Sequence, residues 1–156
     1  MKKNLIGKIL VALDGSESAD RALDFALDLA EKYSANMVLL SVVPFATVPL
    51  VPSPPASMQP ATPIAVETYS KALREKHEEM LSEAVKKAKK VKPSLNVTTQ
   101  LVEGRPSDRI IETAEKGDFD LIVIGSRGLG GIKKLFLGSV SDRVADEAKC
   151  PVLIVK

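Results

Sequence analysis

Leu121-Ile-Val-Ile-Gly125-Ser-Arg-Gly128-Leu-Gly-Gly-Ile-Lys-Lys-Leu-Phe-Leu-Gly138-Ser139 decides how the rest of the chain is to be read. It opens on an apolar run with no polar alternation, the pattern of a strand buried on both faces of a parallel sheet. A glycine-rich loop follows, where the backbone turns tightly and main-chain N–H groups lie open to a ligand. A Gly-Ser pair then starts a new helix, adding unpaired N–H donors and a positive dipole end. Strand, glycine loop and helix N-terminus together form a cradle for an anion, phosphate above all.

Working outward, the same strand-then-helix unit recurs. Ile9-Leu-Val-Ala-Leu13 is a short buried strand ending at Asp14, and Gly15-Ser16 offers a turn and an N-cap. Ala19, Ala22, Leu23, Ala26, Leu29, Ala30 and Tyr33 then recur at helical spacing, with acids and bases on the other face. Met37 to Val43 is a second buried strand. Pro44 to Pro63 holds seven of the ten prolines. This stretch, extended to residue 66, is expected to be a flexible insertion and not a domain boundary, because it is too short to separate two cores. A helix is expected from about Val66 to Lys92. Its basic end, Lys86-Lys87-Ala-Lys89-Lys90-Val-Lys92, reads as a solvated face with cations at a helix C-terminus, and His77 reads as a surface histidine. Leu95 to Val102 alternates enough for a strand near a sheet edge. Gly104-Arg-Pro106-Ser opens a helix that Gly117 closes. A last helix from about Val140 to Ala148 leads to the strand Pro151 to Val155. Five strands alternating with four helices predict one α/β domain over residues 1–156, an open parallel sheet with helices on both faces.

Bulk properties narrow the function classes. The chain has 156 residues, 45% hydrophobic and 27% charged, which suits a single globular core. A net charge of +2, scarce aromatics and no Trp argue against a nucleic-acid surface. The single Cys150 excludes an intrachain disulfide, fits a reducing compartment and reads as a structural thiol. Met1-Lys-Lys-Asn precedes only a short apolar run broken by Gly7 and Lys8, so no signal peptide is expected. No apolar stretch is long enough for a membrane span. A cytoplasmic location is expected.

Ligands of open α/β sheets sit beyond the carboxyl ends of strands, where strand order reverses. If the first and fourth strands are neighbours, Asp14 faces the glycine loop. Asp14 then either takes a sugar hydroxyl or a phosphate-bridging cation, or simply completes the turn that starts its helix. Arg127 either reaches a phosphate or is solvated. The loop is not a Walker A motif, since Lys133 and Lys134 fall at the wrong offsets and lack the following Ser/Thr; nor is it G-x-G-x-x-G. No nucleophile-base set stands out: Ser41, Ser126, Ser139 and Ser141 have no partner base visible in the sequence.

The spacing Gly125-x2-Gly128-x9-Gly138-Ser139 resembles the nucleotide signature of the universal stress proteins. The opening Lys8-Ile-Leu-Val-Ala-Leu-Asp14-Gly-Ser and the ending Cys150-Pro-Val-Leu-Ile-Val155 resemble that family too. The likeness covers nearly the whole chain outside the proline-rich segment. It implies a five-stranded sheet of order 3-2-1-4-5 and the ATP-binding branch. It also implies that Ala12, Leu13 and Asp14 line the adenosine side, with Asp14 near the ribose and the Val42 backbone at the adenine edge. Gly125, Arg127 and Gly128 would wrap the ribose and first phosphates, and Gly138, Ser139, Val140 and Ser141 would hold the later ones. The nucleotide implied is ATP, or AMP or ADP, with Mg²⁺ or Mn²⁺ on the phosphates; no protein metal ligand is identified. The family also implies a homodimer paired through Val152, Leu153, Ile154 and Val155. Some ATP-binding members carry Pro where this chain has Ala12, a mild change to the pocket wall, and Arg127 varies among them. The expected function is a nucleotide-dependent regulatory module of a stress response. The alternatives are a slow Mg²⁺-dependent ATP hydrolase, or a protein-interaction subunit whose nucleotide is structural.

Overall fold

Strands β1 (Lys8–Ala12) and β4 (Leu121–Gly125) are buried along almost their whole length, as unbroken apolar runs require. They lie side by side and parallel at the centre of the sheet, with Ile9 opposite Leu121 and Ala12 opposite Ile124. The computed structural model describes residues 4–45, 62–129 and 137–156. Strands β2 (Asn36–Val43), β3 (Val97–Glu103) and β5 (Val152–Val155) complete a five-stranded sheet of order β3-β2-β1-β4-β5, all parallel. Strand order reverses between β1 and β4, which is where an open sheet parts to admit a ligand.

Side chains alternate across the sheet. Ile9, Val11, Met37, Leu39 and Val123 face helices α1 (Glu17–Tyr33) and α2 (Pro63–Val91). Leu10, Leu40, Ile122 and Ile124 face α3 (Pro106–Lys116) and α4 (Ser139–Glu147). In α1 the buried positions Ala19, Ala22, Leu23, Ala26, Leu27 and Ala30 make one stripe. Ser16 caps its start by accepting from Ala19 N–H at 3.2 Å. The small residues of that stripe let the helix lie close. A Cβ on Gly125 would stand 2.5 Å from Ser18 Oγ and 2.7 Å from Ala19 N, so only glycine fits where β4 ends against α1.

Two boundaries differ from expectation. α2 begins at Pro63, not near Val66: the Thr62 side chain accepts from Ala65 N–H at 3.2 Å, and Pro63 fills the first turn, where a missing N–H costs nothing. The last residues of the proposed insertion 44–66 are therefore helix, while residues 46–61 lie outside the described residues, as do Gly130 to Phe136. β3 begins at Val97, not Leu95, and it is an edge strand as its alternation predicts. The basic end of α2 is engaged with α1: Lys87 pairs with Asp20 at 2.8 Å and Asp24 at 2.9 Å, and Lys92 with Asp28 and Glu31. No described helix is long and apolar enough to cross a membrane.

Candidate functional site

At the carboxyl ends of β1 and β4 a cavity of about 530 Å³ opens, within the range of a small-molecule site. Its floor is apolar and follows from strand parity: Ala12, Leu40, Val42 and Ile124 come from alternate positions facing α3, whose Pro106 and Ile110 close the far side. Its mouth is polar. Leu13 and Asp14 leave β1, Gly125, Arg127 and Gly128 leave β4, and Gly138, Ser139, Val140 and Ser141 open α4. All of the residues singled out in the sequence thus border one cavity. Sequence reasoning passed over Ser16, Ala19, Leu40, Pro106, Ile110, Ile124 and Leu137, which line it too. The period-two alternation in β2 and β4 carries the signal for Leu40 and Ile124; nothing local marks Pro106 or Leu137.

The loop is held by hydroxyls from both sides. Ser126 N–H donates to the Val155 carbonyl at 2.7 Å, and its own carbonyl accepts from Gly138 N–H at 2.7 Å and Ser141 Oγ at 3.1 Å. The Arg127 carbonyl accepts from Ser18 Oγ at 2.7 Å and Ser16 Oγ at 3.2 Å. With those carbonyls turned inward onto α1 and α4, the α4 N-terminus faces the cavity. Its N-cap is Gly138, which has no side chain to cap the first N–H groups. Those donors and the positive end of the helix dipole make the anion end of the site.

Of the two readings of Asp14, the turn-completing one is observed, and the second carboxylate oxygen is left over. Oδ1 accepts from Ser16 N–H at 2.9 Å and completes the turn into α1, where Gly15 takes φ +83°. Oδ2 faces the loop, 3.1 Å from where a Cβ on Gly128 would stand. Arg127 is exposed and its guanidinium makes no ion pair among the described residues. The described residues contain no group of three or more His, Cys, Asp or Glu side chains able to hold a metal. Among the described residues, Asp14 is the only carboxylate on the cavity wall. A divalent cation here would be carried on a ligand's phosphates, not in a protein cage.

The backbone at Val42 also presents free hydrogen-bonding groups to the cavity. Parallel strands turn alternate residues to alternate neighbours. Leu40 accepts from Leu13 N–H at 2.8 Å, so Leu40 and Val42 face β1, whereas Val43 accepts from Gly104 N–H on the β3 side. The next rung, Val42 N–H to the Leu13 carbonyl, is not made. β1 has ended, and Val42 stands at the cavity with its peptide groups unspent on the sheet.

The surface reading of His77 needs one correction: the ring is half-buried, and it supplies the basic partner of Ser41 that the sequence does not show. Ser41 is fully buried and its Oγ lies 2.7 Å from His77 Nδ1 and 3.1 Å from the Leu13 carbonyl. α2 crosses over β2 and brings together residues 36 apart in sequence. Burial holds the His77 imidazole below its ordinary range; Lys76 pushes the same way and the Asp14 carboxylate opposes. Cys150 fits a structural thiol, with burial pushing its pKa up, away from the reactive thiolate.

The universal stress protein family model matches residues 6–156. A universal stress protein of Methanocaldococcus jannaschii is 35% identical, over 99% of this chain and 84% of the relative. The solved universal stress protein UspA of Lactobacillus plantarum superposes with a TM-score of 0.82 over 97% of this chain and 98% of that one; at 24% identity this speaks for the fold alone. A universal stress protein in complex with cAMP superposes with a TM-score of 0.64 at 28% identity, over 97% of each chain. With its glycine spacing, its strand order and nearly its whole length matched, this chain belongs to the universal stress protein family.

Proposed function

We propose that this chain binds an adenine nucleotide at the β1–β4 switch point and serves as a nucleotide-dependent module of a stress response. The carrying observation is one cavity with three matched parts: an apolar slot, a free backbone edge at Val42, and an uncapped helix N-terminus beyond the glycine loop. Adenine suits the slot, where Val42 N–H would donate to its N1 and the Val42 carbonyl would accept from its 6-amino group. The ribose hydroxyls would meet Asp14 Oδ2. Phosphates would lie against Gly128 and the first turn of α4, with Arg127 as an outer cation. The relative solved with cAMP supports an adenine nucleotide as the class; the form proposed is ATP, with Mg²⁺ or Mn²⁺ on its phosphates, on the glycine spacing Gly125-x2-Gly128-x9-Gly138-Ser139. The cytoplasm, where a free Cys150 stays reduced, is the compartment this reading assigns.

The regulatory reading is preferred to a slow ATP hydrolase because, among the described residues, the cavity wall offers no base other than Asp14, one of whose oxygens is engaged by Ser16 N–H. The unit in solution would be a homodimer. β5 is a sheet edge on which Val152, Leu153 and Ile154 are only partly buried, and pairing with a second copy would cover them. Isothermal titration with AMP, ADP and ATP, with and without Mg²⁺, tests the reading. Saturable 1:1 binding is expected. A protein that binds none of the three, and releases no nucleotide when denatured after purification, overturns it.

A further inference from the structure

We infer that Ser41 and His77 are positioning residues of the nucleotide site: by holding the Leu13 carbonyl, they keep the last rung between β1 and β2 open and leave the Val42 backbone to read the base. The inference rests on the nucleotide reading above and extends it to residues outside the cavity wall.

A regular parallel ladder would continue from the Leu13 N–H to Leu40 bond to a bond from Val42 N–H to the Leu13 carbonyl. That carbonyl instead accepts from Ser41 Oγ at 3.1 Å. The Ser41 side chain projects toward α2, on the opposite face of the sheet from the apolar slot that Ala12 and Val42 line. Ser41 therefore takes the carbonyl from the α2 side. A serine hydroxyl has one proton. When it goes to Leu13, the short 2.7 Å contact with His77 must be a bond from Nδ1–H to Ser41 Oγ. Only an Nδ1–H donor satisfies both contacts at once, and of the two neutral tautomers this selects the one with the proton on Nδ1. The relay runs His77 to Ser41 to Leu13, and each donor strengthens the next.

The surroundings suit a fixed role over a titrating one. Lys76 on α2 and burial both favour the neutral ring, and Asp14 opposes them from the β1–α1 turn. One turn earlier on α2, Arg74 is paired with Glu78 and with Glu103 at the end of β3. Met80, one turn further on, packs its sulfur where a Gly15 side chain would begin, at 3.3 Å. His77 and Met80 together seat α2 on the Leu13–Gly15 turn that presents Asp14.

The test compares AMP with IMP by isothermal titration, because hypoxanthine reverses the donor and acceptor at the edge Val42 would read. Wild type is expected to prefer AMP. Ser41→Ala should lower AMP affinity by about tenfold, the worth of one well-made hydrogen bond, and leave IMP within about twofold, so that the preference collapses. His77→Ala should move the ratio the same way, and His77→Asn, whose amide can donate from the Nδ1 position, should restore it. Equal losses for AMP and IMP mean plain loosening of the fold and overturn the inference, as does an unchanged ratio, or a wild type that binds both alike. If Ser41→Ala does not fold, the two His77 variants decide alone. A wild type that binds no adenine nucleotide sinks the nucleotide reading and this inference together; a wild type that binds AMP with indifferent variants sinks only the inference.

Discussion

The Asp14 carboxylate looks directly at Gly128: its Oδ2 lies 3.1 Å from the point a Cβ there would occupy, while its Oδ1 is tied to Ser16 N–H at 2.9 Å. Two loops that lie far apart in sequence thus meet so closely that a Cβ at position 128 would press on the carboxylate. Gly128→Val should reduce nucleotide affinity at least about tenfold by wedging this gap. Because Gly128 is exposed, the melting temperature should stay within about 3 °C of wild type. Titration calorimetry beside a thermal melt checks both halves, and an equal loss of stability would assign the glycine to folding instead.

Asp14→Asn separates the two duties of that carboxylate. The amide oxygen keeps the turn-closing bond to Ser16, so stability should change by less than about 1 kcal/mol. Affinity for adenosine-containing ligands should fall several-fold, and 2′,3′-dideoxyadenosine phosphates should be affected least. Urea titration and competition binding read the two effects apart.

Ser18 is buried and holds the Arg127 peptide at both ends, donating to its carbonyl at 2.7 Å and accepting from its N–H at 3.3 Å. Ser18→Ala should cost about 1–2 kcal/mol, since the Arg127 N–H loses its partner and the Arg127 carbonyl keeps only the longer bond from Ser16 Oγ. Amide exchange should quicken at Arg127 and Gly128 more than in the central strands. Uniform quickening would contradict this.

Acid should weaken the fold through His77. Its folded-state pKa is lowered, chiefly by burial, so the neutral ring's contribution is fully present above the ordinary histidine value of about 6.5. It is lost as pH falls through that value and on to the lower folded-state pKa, because the unfolded chain takes up the proton first. Urea midpoints between about pH 7.5 and 5.5 should decline in wild type. They should decline less in His77→Asn, which has no proton to take up. Parallel slopes for the two proteins would refute it.

The β5 edge offers a direct check on assembly. Ile154→Lys places a charge on a part-exposed apolar edge without entering the α1 side of the core. Sedimentation should show a monomer for this variant and a dimer for wild type, with the far-ultraviolet dichroism unchanged.

Four strands were legible as apolar runs bounded by turns and β3 by its alternation, whereas the strand order came from the family resemblance. Of the cavity wall, Ala12 to Asp14, Val42, Gly125, Arg127, Gly128 and Gly138 to Ser141 were named from the glycine spacing and that resemblance. The Ser41–His77 pair was not. His77 lies amid charged neighbours on a helix, and only the packing of that helix across β2 turns it inward. The start of α2 was missed for a related reason. Thr62-Pro63 is a helix-opening pair, but it closes a proline-rich run whose composition speaks for loop.

The Gly138 N–H bond to the Ser126 carbonyl, at 2.7 Å, closes the glycine loop into a ring fastened at its base. The two feet of this ring are fixed, and next to the first of them the Arg127 carbonyl is held by Ser18 and Ser16 Oγ. One foot is bonded to the last strand and the other is the first cap of a helix. Lengthening the arc changes closure entropy only slowly, by about 0.6 kcal/mol per doubling. Beyond Gly128, which faces Asp14, the span up to Gly138 can therefore change in kind and number at little entropic cost while the donors at the helix mouth keep their anchor, so that the two feet hold the site and the arc is left to individualise it.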